Sequence, residues 1–228
     1  MDRRRALLAA ASSGGVKIPN NEIWYVSARG TAFDPVNPNA FGANIVSNTY
    51  ENGKGVITFD GNVTKVGANA YTGSAILKEI ALPNSVVSFT AGAFAGCSEL
   101  IKFSGQFATK DGRCMVAGTT LLYYAAGSGT EFTIPTGLTE IWSDTFYMAS
   151  MLTSVTIPSS VEKIGGQAFM YCGSLETIIC ERTTPPQGAP SMFSMISSAA
   201  KIYVPAGSGE AYKKASYWST YKSKIVEM

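Results

Sequence analysis

Hydrophobic positions recur along this chain with a period of 23 residues. Residues 77–99 and 152–174 align without gaps and share the pattern L-x-x-[IV]-x-[IL]-P-x-S-V-x-x-[IF]-x-x-x-A-F-x-x-C-x-x. Each segment is followed at once by a leucine, Leu100 or Leu175, which opens the next unit. Self-similarity at a fixed period of this length is the signature of a stacked-repeat fold.

Weaker copies of the repeat fall into the same frame as four apolar columns. The first column advances in steps of 23 residues except between Phe103 and Phe132, where the step is 29. The columns are Ile57, Ile80, Phe103, Phe132, Val155 and Ile178; Val63, Val86, Leu138 and Val161; Val66, Phe89, Ile141 and Ile164; and the aromatic Tyr71, Phe94, Phe146 and Phe169. We expect each column to form a continuous ladder in the core.

The order of residues within one repeat predicts the path of one coil. The Leu-x-x-Ile-x-Ile stretch alternates as a short strand, and a proline such as Pro83, Pro135 or Pro158 ends its pairing. Ser-Val-x-x-Ile predicts a second extended segment, and Ala-Phe-x-x-Cys a turn that closes the coil. One coil cannot bury its own apolar columns, whereas stacked coils can. The sequence therefore predicts a β-rich solenoid.

The six extra residues before Phe132 predict a β-hairpin insertion at about 104–131. Asp111-Gly112 and Ala117-Gly118 are typical turn dipeptides, and the residues around them alternate as strands. We expect this hairpin to replace the Ala-Phe segment of its repeat. It is either a plain insertion that relieves crowding or a platform for ligand contact.

The two ends of the chain depart from the repeat. Residues 1–19 predict a flexible N-terminal tail, and 20–54 an antiparallel β cap over the first coil of a solenoid that spans 55–205. Lys201-Ile-Tyr-Val predicts the last strand. Residues 206–228 predict a C-terminal helical cap, with Ser208 as N-cap of a short helix over 209–214 and with Trp218 and Tyr221 packed onto the last coil.

Composition excludes several classes of function. A net charge of +2 does not suit a nucleic-acid partner. The chain has no histidine, which rules out Ser-His-Asp and Cys-His catalysis and histidine-ligated zinc or haem. The cysteines form no CxxC pair, and Cys97 and Cys172 share one repeat slot, which favours buried apolar packing for these two. Redox state is left open for Cys114 and Cys180. We expect no catalytic residue, no metal and no cofactor.

The N-terminus has a basic start, Arg3 to Arg5, but its apolar run, Ala6 to Ala11, is shorter than a signal peptide requires. We therefore expect no ordinary signal peptide, with an atypical or uncleaved targeting segment as the alternative. No later window is long and apolar enough for a transmembrane segment.

Alternation in the strands predicts a shallow, low-charge binding face. The middle outward row is Thr58, Ala81, Ser104, Thr133, Thr156 and Ile179, and the row two positions before it is Glu79, Lys102, Ser154 and Thr177. Trp142 and Tyr147, with Tyr123 and Tyr124, could add aromatic anchors. Such a face suits a protein or glycan ligand better than a phosphate or metal.

The string from Leu152 to Leu175 resembles the BspA-like, or treponemal-type, leucine-rich repeat almost throughout, and residues 77–100 match with Phe89-Thr90 in place of Ile-Gly. The similarity covers about 55–205. It implies a non-catalytic binding or adhesion module of a bacterial cell-surface or extracellular protein. Without an ordinary signal peptide, a cytoplasmic or phage-associated location stays open.

Two other functions stay open beside the binding module. A prophage-encoded or envelope structural protein is the alternative, although two capped ends favour a monomer over open-ended assembly. A carboxylate-based glycosidase needs two converging acids, and the sequence contains no motif for such a pair.

Overall fold

The computed structural model describes residues 17–228. The chain divides into two compact units, unit 1 (Met1–Met115) and unit 2 (Val116–Met228). Most of the predicted flexible tail, residues 1–16, and the whole of the proposed targeting segment lie outside the described residues. No helix among the residues described is long and apolar enough to cross a membrane.

Unit 1 contains a mixed sheet of five strands and a short parallel pair. The five-stranded order is β2-β3-β1-β5-β7, and β4 pairs with β6. The strands are β1 (Glu22–Ser27), β2 (Ile45–Glu51), β3 (Lys54–Phe59), β4 (Lys65–Val66), β5 (Leu77–Ala81), β6 (Ser88–Phe89) and β7 (Lys102–Ser104).

The N-terminal strand β1 lies inside this sheet. The repeat predicts that the strand of Ile57 continues the ladder to the strand of Ile80, but β1 pairs antiparallel with both β3 and β5 and separates them. Within this five-stranded sheet, parallel pairing occurs only between β5 and β7, where Ile80 faces Phe103. Gly55 in β3 allows the close approach of β1, because a Cβ at Gly55 would lie 2.0 Å from Cζ of Tyr25 in β1. The expected continuous first column is therefore wrong at its first step.

Unit 2 is a stack of coils with two parallel ladders. One sheet has the order β10-β12-β14-β15-β16 and the other β13-β11-β9-β8. The elements are β8 (Cys114–Ala117), which begins within unit 1, β9 (Thr120–Tyr124), β10 (Glu131–Thr133), β11 (Glu140–Ile141), β12 (Ser154–Ile157), β13 (Lys163–Ile164), β14 (Thr177–Cys180), β15 (Lys201–Val204), helix α1 (Gly209–Lys214), a 3₁₀ helix (Trp218–Lys224) and β16 (Ile225–Glu227).

The predicted columns form the cores of both units. All their members are buried except Phe89, which is partly exposed and packs edge-to-face on Phe107. In unit 2 the rings of Phe146 and Phe169 stack at 4.5 Å, and those of Phe169 and Phe193 at 5.1 Å. The solenoid fold with 23-residue coils is confirmed.

The hairpin keeps the aromatic column continuous. Its turn at Gly118 has a φ of 58°, and its second strand β9 pairs parallel with β11 as an ordinary member of that ladder. Tyr124, the last residue of β9, then takes the aromatic slot, with its ring 4.8 Å from that of Phe146. A hairpin strand therefore stands where other coils have the Ala-Phe segment, and β9 supplies both a ladder strand and the aromatic residue. The predicted hairpin bounds, about 104–131, stay a prediction.

All four cysteines are buried and free. Cys97 and Cys172 make the same contact in two copies of the repeat: each thiol donates to a carbonyl of the preceding coil, Tyr71 O or Phe146 O, at 3.0 Å. The predicted burial of these two side chains is confirmed.

The C-terminal segment adds one more strand to the solenoid. Strand β15 was expected to be the last, but β16 pairs parallel with it, Ile202 opposite Ile225. Helix α1 spans the predicted residues. Its N-cap residue Ser208 makes no side-chain capping bond, and the carboxylate of Glu227 in β16 accepts from Gly207 N and Gly209 N instead.

The predicted packing of the two C-terminal aromatic residues is confirmed. The rings of Trp218 and Tyr221 lie 5.7 and 5.6 Å from that of Phe193, at the end of the aromatic column. Trp218 Nε1 also donates to Pro186 O at 2.8 Å. The predicted N-terminal cap, solenoid and C-terminal cap boundaries stay predictions.

Candidate functional site

Four of the predicted binding residues lie on one surface of unit 2. The parallel register aligns Ser154 with Thr177, and Thr133 with Thr156. Their neighbours Phe132, Val155 and Ile178 point into the core and are buried, so these four side chains point outward. We call this surface, formed by β10, β12, β14 and β15, the unit 2 outer face.

Two rows of side chains make up the unit 2 outer face. The first row is Glu131, Ser154, Thr177 and Lys201, and the second is Thr133, Thr156, Ile179 and Tyr203. The second row changes from hydroxyl groups at β10 and β12 to larger apolar surface at β14 and β15. The only charges in the two rows are on Glu131 and Lys201, at opposite ends of the first.

Sequence reasoning missed Lys201 and Tyr203. The signal was present, because the strand Lys201-Ile-Tyr-Val alternates and places Ile202 and Val204 in the core. The step from Ile178 to Ile202 is 24 residues, one more than the period, so the outward rows predicted from the period end at β14.

Glu79 and Lys102, the other two strand residues, lie in unit 1. They face each other across β5 and β7 and are partly exposed. The neighbouring outward row is covered, because Ala81 and Ser104 are buried. Ile18 and Trp24 pack on Ala81 in one apolar cluster. The expectation that Ala81 and Ser104 are open binding positions is therefore wrong.

The proposed aromatic anchors lie on other sides of the unit 2 coil. Trp142 follows β11 in the second ladder, and Tyr147 lies in the turn segment after it, with its ring 5.6 Å from that of Tyr171. Both are partly exposed. Tyr123 and Tyr124 are buried, each 2% exposed, so their suggested role as surface anchors is wrong.

The second ladder of unit 2 has its own polar surface. Lys163 Nζ and the Glu140 carboxylate form an ion pair at 2.7 Å between neighbouring strands. This pair is solvent-exposed and stabilises the fold by at most about 1 kcal/mol. Among residues 17–228, no group of three or more potential metal ligands lies together.

The coil geometry, with short parallel strands on stacked 23-residue turns, defines a leucine-rich repeat solenoid. The model of the BspA type Leucine rich repeat region (6 copies) matches residues 43–110 and 120–226. The chain belongs to this family, as the repeat motif suggested. No curated protein matches the chain.

Three solved structures are similar to this chain. A leucine rich cell surface protein from Faecalibacterium prausnitzii is 24% identical, with a TM-score of 0.50 over 63% of this chain and 45% of its own. A leucine-rich repeat protein from Eubacterium ventriosum is 22% identical, with a TM-score of 0.42 over 66% and 48%. The T. pallidum leucine-rich repeat protein is 23% identical, with a TM-score of 0.34 over 65% and 55%. This chain therefore matches about half the length of each.

Proposed function

We propose that this chain is a non-catalytic binding module that engages a protein or glycan through the unit 2 outer face. The observation that carries the proposal is the alignment of Thr133, Thr156, Ser154 and Thr177 on adjacent parallel strands. Stacked strands present a regular array of side chains on a rigid backbone, which is how solenoid proteins make extended binding surfaces.

The chemistry of the face supports an uncharged ligand surface. Hydroxyl groups on two strands can donate and accept hydrogen bonds, as glycan and peptide ligands require. Ile179 and Tyr203 beside them offer apolar contact area, and tyrosine is enriched at binding hot spots. We propose that Lys201 and Tyr203 extend the predicted site and that Glu79 and Lys102 act separately in unit 1.

We further propose that the module acts at the bacterial surface in adhesion. The family assignment supports this location, and the Faecalibacterium prausnitzii protein with the same fold is described as a cell surface protein. Fractionation of the producing cells, followed by surface proteolysis of intact cells, tests the location independently of any ligand.

The test of the binding face is a titration of the purified chain on an array of host matrix proteins and glycans. The variant T133K/S154K/T156K places three lysines on adjacent positions of the unit 2 outer face. The matched control T183K/T184K/S219K adds the same charge at exposed positions of unit 2 outside this face. Both variants are compared with the wild type by thermal unfolding.

We expect wild-type binding to be weakened at least about tenfold in T133K/S154K/T156K and retained in the control. Equal weakening in both triple variants would show a general charge effect and refute the assignment of the face. The absence of any specific ligand on the array would contradict the adhesion proposal and favour a structural role.

A further inference from the structure

A second, chemically different surface lies on the turn segments of unit 2. Successive coils align there through backbone hydrogen bonds from Met148 N to Met170 O at 2.9 Å and from Tyr171 N to Ser194 O at 3.0 Å. The side chains that project from these segments form what we call the methionine-tyrosine face: Tyr147, Met148, Met151, Met170, Tyr171 and Met195.

The methionine-tyrosine face exposes large apolar side chains. Met148, Tyr171 and Met195 are 46%, 41% and 66% exposed. The turn segments 145–152, 168–175 and 192–199 contain no charged residue. A contiguous, uncharged apolar surface on a folded domain is typical of an interaction site.

The repeat itself provides a comparison for three of these positions. Met148, Tyr171 and Met195 occupy the slot two residues after the column aromatic residue, with φ values of 57°, 62° and 58°. In unit 1 the same slot holds Gly73 and Gly96, with φ values of 72° and 71°. The left-handed backbone conformation at this slot is common to the coils of both units, whereas the large apolar side chain occurs there only in unit 2.

Folding does not explain these side chains. A non-glycine residue in the left-handed region costs about 1–2 kcal/mol relative to glycine, and an exposed side chain recovers little of this by burial. At Gly73 a Cβ would meet no atom within 4 Å, so the slot points into open space. Three large apolar residues at a strained and exposed slot therefore favour contact with a partner.

One acidic group borders the methionine-tyrosine face. Asp144 directly precedes the turn segment 145–152, three residues before Tyr147, and is partly buried. Burial raises the pKa of its carboxyl group. Burial, followed by the charges of Tyr171 and Asp144, raises the pKa of the Tyr147 hydroxyl. No cationic side chain of residues 17–228 forms an ion pair with it. A partly desolvated carboxylate without a counter-ion favours a basic group on the ligand.

We propose that the methionine-tyrosine face and Asp144 form a docking surface for a protein segment that presents apolar side chains around one lysine or arginine. Methionine side chains are flexible and polarisable and adapt to apolar partners of varied shape. The carboxylate of Asp144 fixes the position of the basic side chain, while Tyr147 and Tyr171 supply rigid aromatic contact area. This surface is separate from the unit 2 outer face.

The repeat suggests a variant that removes the face and keeps the fold. M148G/Y171G/M195G installs at all three slots the residue that unit 1 uses there. We expect this variant to unfold at a temperature equal to or above that of the wild type, because left-handed strain is relieved. D144N removes the charge and nearly preserves the side-chain shape.

The experiment is selection of a random peptide library displayed on phage against the intact wild-type chain, with counter-selection against M148G/Y171G/M195G. We expect enriched peptides to combine apolar residues with a lysine or arginine. Synthetic copies should bind the triple variant and D144N at least about tenfold more weakly in fluorescence anisotropy. Replacement of the basic residue of the peptide by glutamine should weaken its binding to the wild type by a similar factor. The same replacement should weaken its binding to D144N little further.

Enriched peptides that lack a basic residue, or that bind D144N as tightly as the wild type, would overturn the role of Asp144. A selection without enrichment would overturn the docking surface. Two further measurements identify other occupants, and either positive result would contradict the proposal. Concentration-dependent dimers that the triple variant abolishes in sedimentation would point to a second copy, and co-flotation with phosphatidylcholine vesicles would point to a membrane.

Discussion

Two adjacent glycines allow a sharp test of how closely the coils of unit 2 stack. A Cβ on Gly165 would lie 2.4 Å from Ser143 N and 2.7 Å from Trp142 C, both backbone atoms of the preceding coil. A Cβ on Gly166 would have ordinary contacts, 3.6 Å to Pro190 O and 3.9 Å to Ser143 Oγ. G165A and G166A therefore both add one methyl group to a glycine, but only G165A places that group against the backbone of the preceding coil.

The magnitude follows from the displacement that G165A requires. Moving from 2.4 Å to the 3.4 Å of an ordinary contact separates the coils locally by about 1 Å. Overpacking of this kind costs about 1–3 kcal/mol. The hydrogen bond from Gly165 N to Ile141 O, 2.8 Å long, weakens as the coils separate and adds about 0.5–1.5 kcal/mol.

For G166A we expect the free energy of unfolding to stay the same or to increase by up to about 1 kcal/mol, because alanine restricts the conformations of the unfolded chain. That effect is shared by both variants and cancels in the comparison. G165A should consequently be about 1.5–4.5 kcal/mol less stable than G166A. Urea unfolding followed by far-UV circular dichroism measures both values.

The fluorescence of Trp142, next to the predicted clash, should change in G165A before global unfolding. A G165A variant as stable as G166A would refute the conclusion that backbone contact between coils limits this position.

Three further predictions concern the core and the C-terminal end. F169A should destabilise the chain by about 3–5 kcal/mol in urea unfolding, because its ring stacks on two others, whereas Y171A in the same coil should change stability by less than about 1 kcal/mol. Burial raises the pKa of Cys97 and Cys172 to about 12 and that of Cys114 to about 11, so the thiols of the folded chain should resist iodoacetamide at pH 8 and react only in denaturant. Labelling of the folded chain within minutes would contradict this. Reductants and chelators should leave the melting temperature unchanged. Hydrogen bonds from Gly207 N and Gly209 N lower the pKa of Glu227, so the contribution of its carboxylate to stability is present at pH 7 and is lost as the pH falls through its folded-state pKa. E227Q should therefore lower the melting temperature at pH 7 and have little effect on it at pH 3. An equal change of melting temperature at both pH values would refute the charge contribution.

Part of the candidate site could be predicted from local alternation. Thr133, Ser154, Thr156 and Thr177 were assigned outward positions because their strand neighbours fill the apolar columns, and the parallel register places them on one surface. Ala81 and Ser104 follow the same alternation and are nevertheless buried. Alternation predicts which side of a strand a residue faces but not what packs on that side, and Ile18 and Trp24 pack on Ala81.

The amino-acid sequence by itself determined the repeat, the inward columns and the short C-terminal helix. These features depend on residues close together in the chain, since period, strand alternation and turn residues are local properties. The buried rings from Tyr71 to Phe169 and the buried thiols of Cys97 and Cys172 follow from the same period.

Only the tertiary structure decided which strands become neighbours and which side chains stay exposed. Strand β1 enters between β3 and β5, β16 extends the sheet beyond β15, and Tyr124 completes the aromatic column. Each of these is a pairing between segments distant in sequence, and many short apolar strands can satisfy the same backbone hydrogen bonds. The choice among them depends on which arrangement buries the most apolar surface, a property of the whole folded chain.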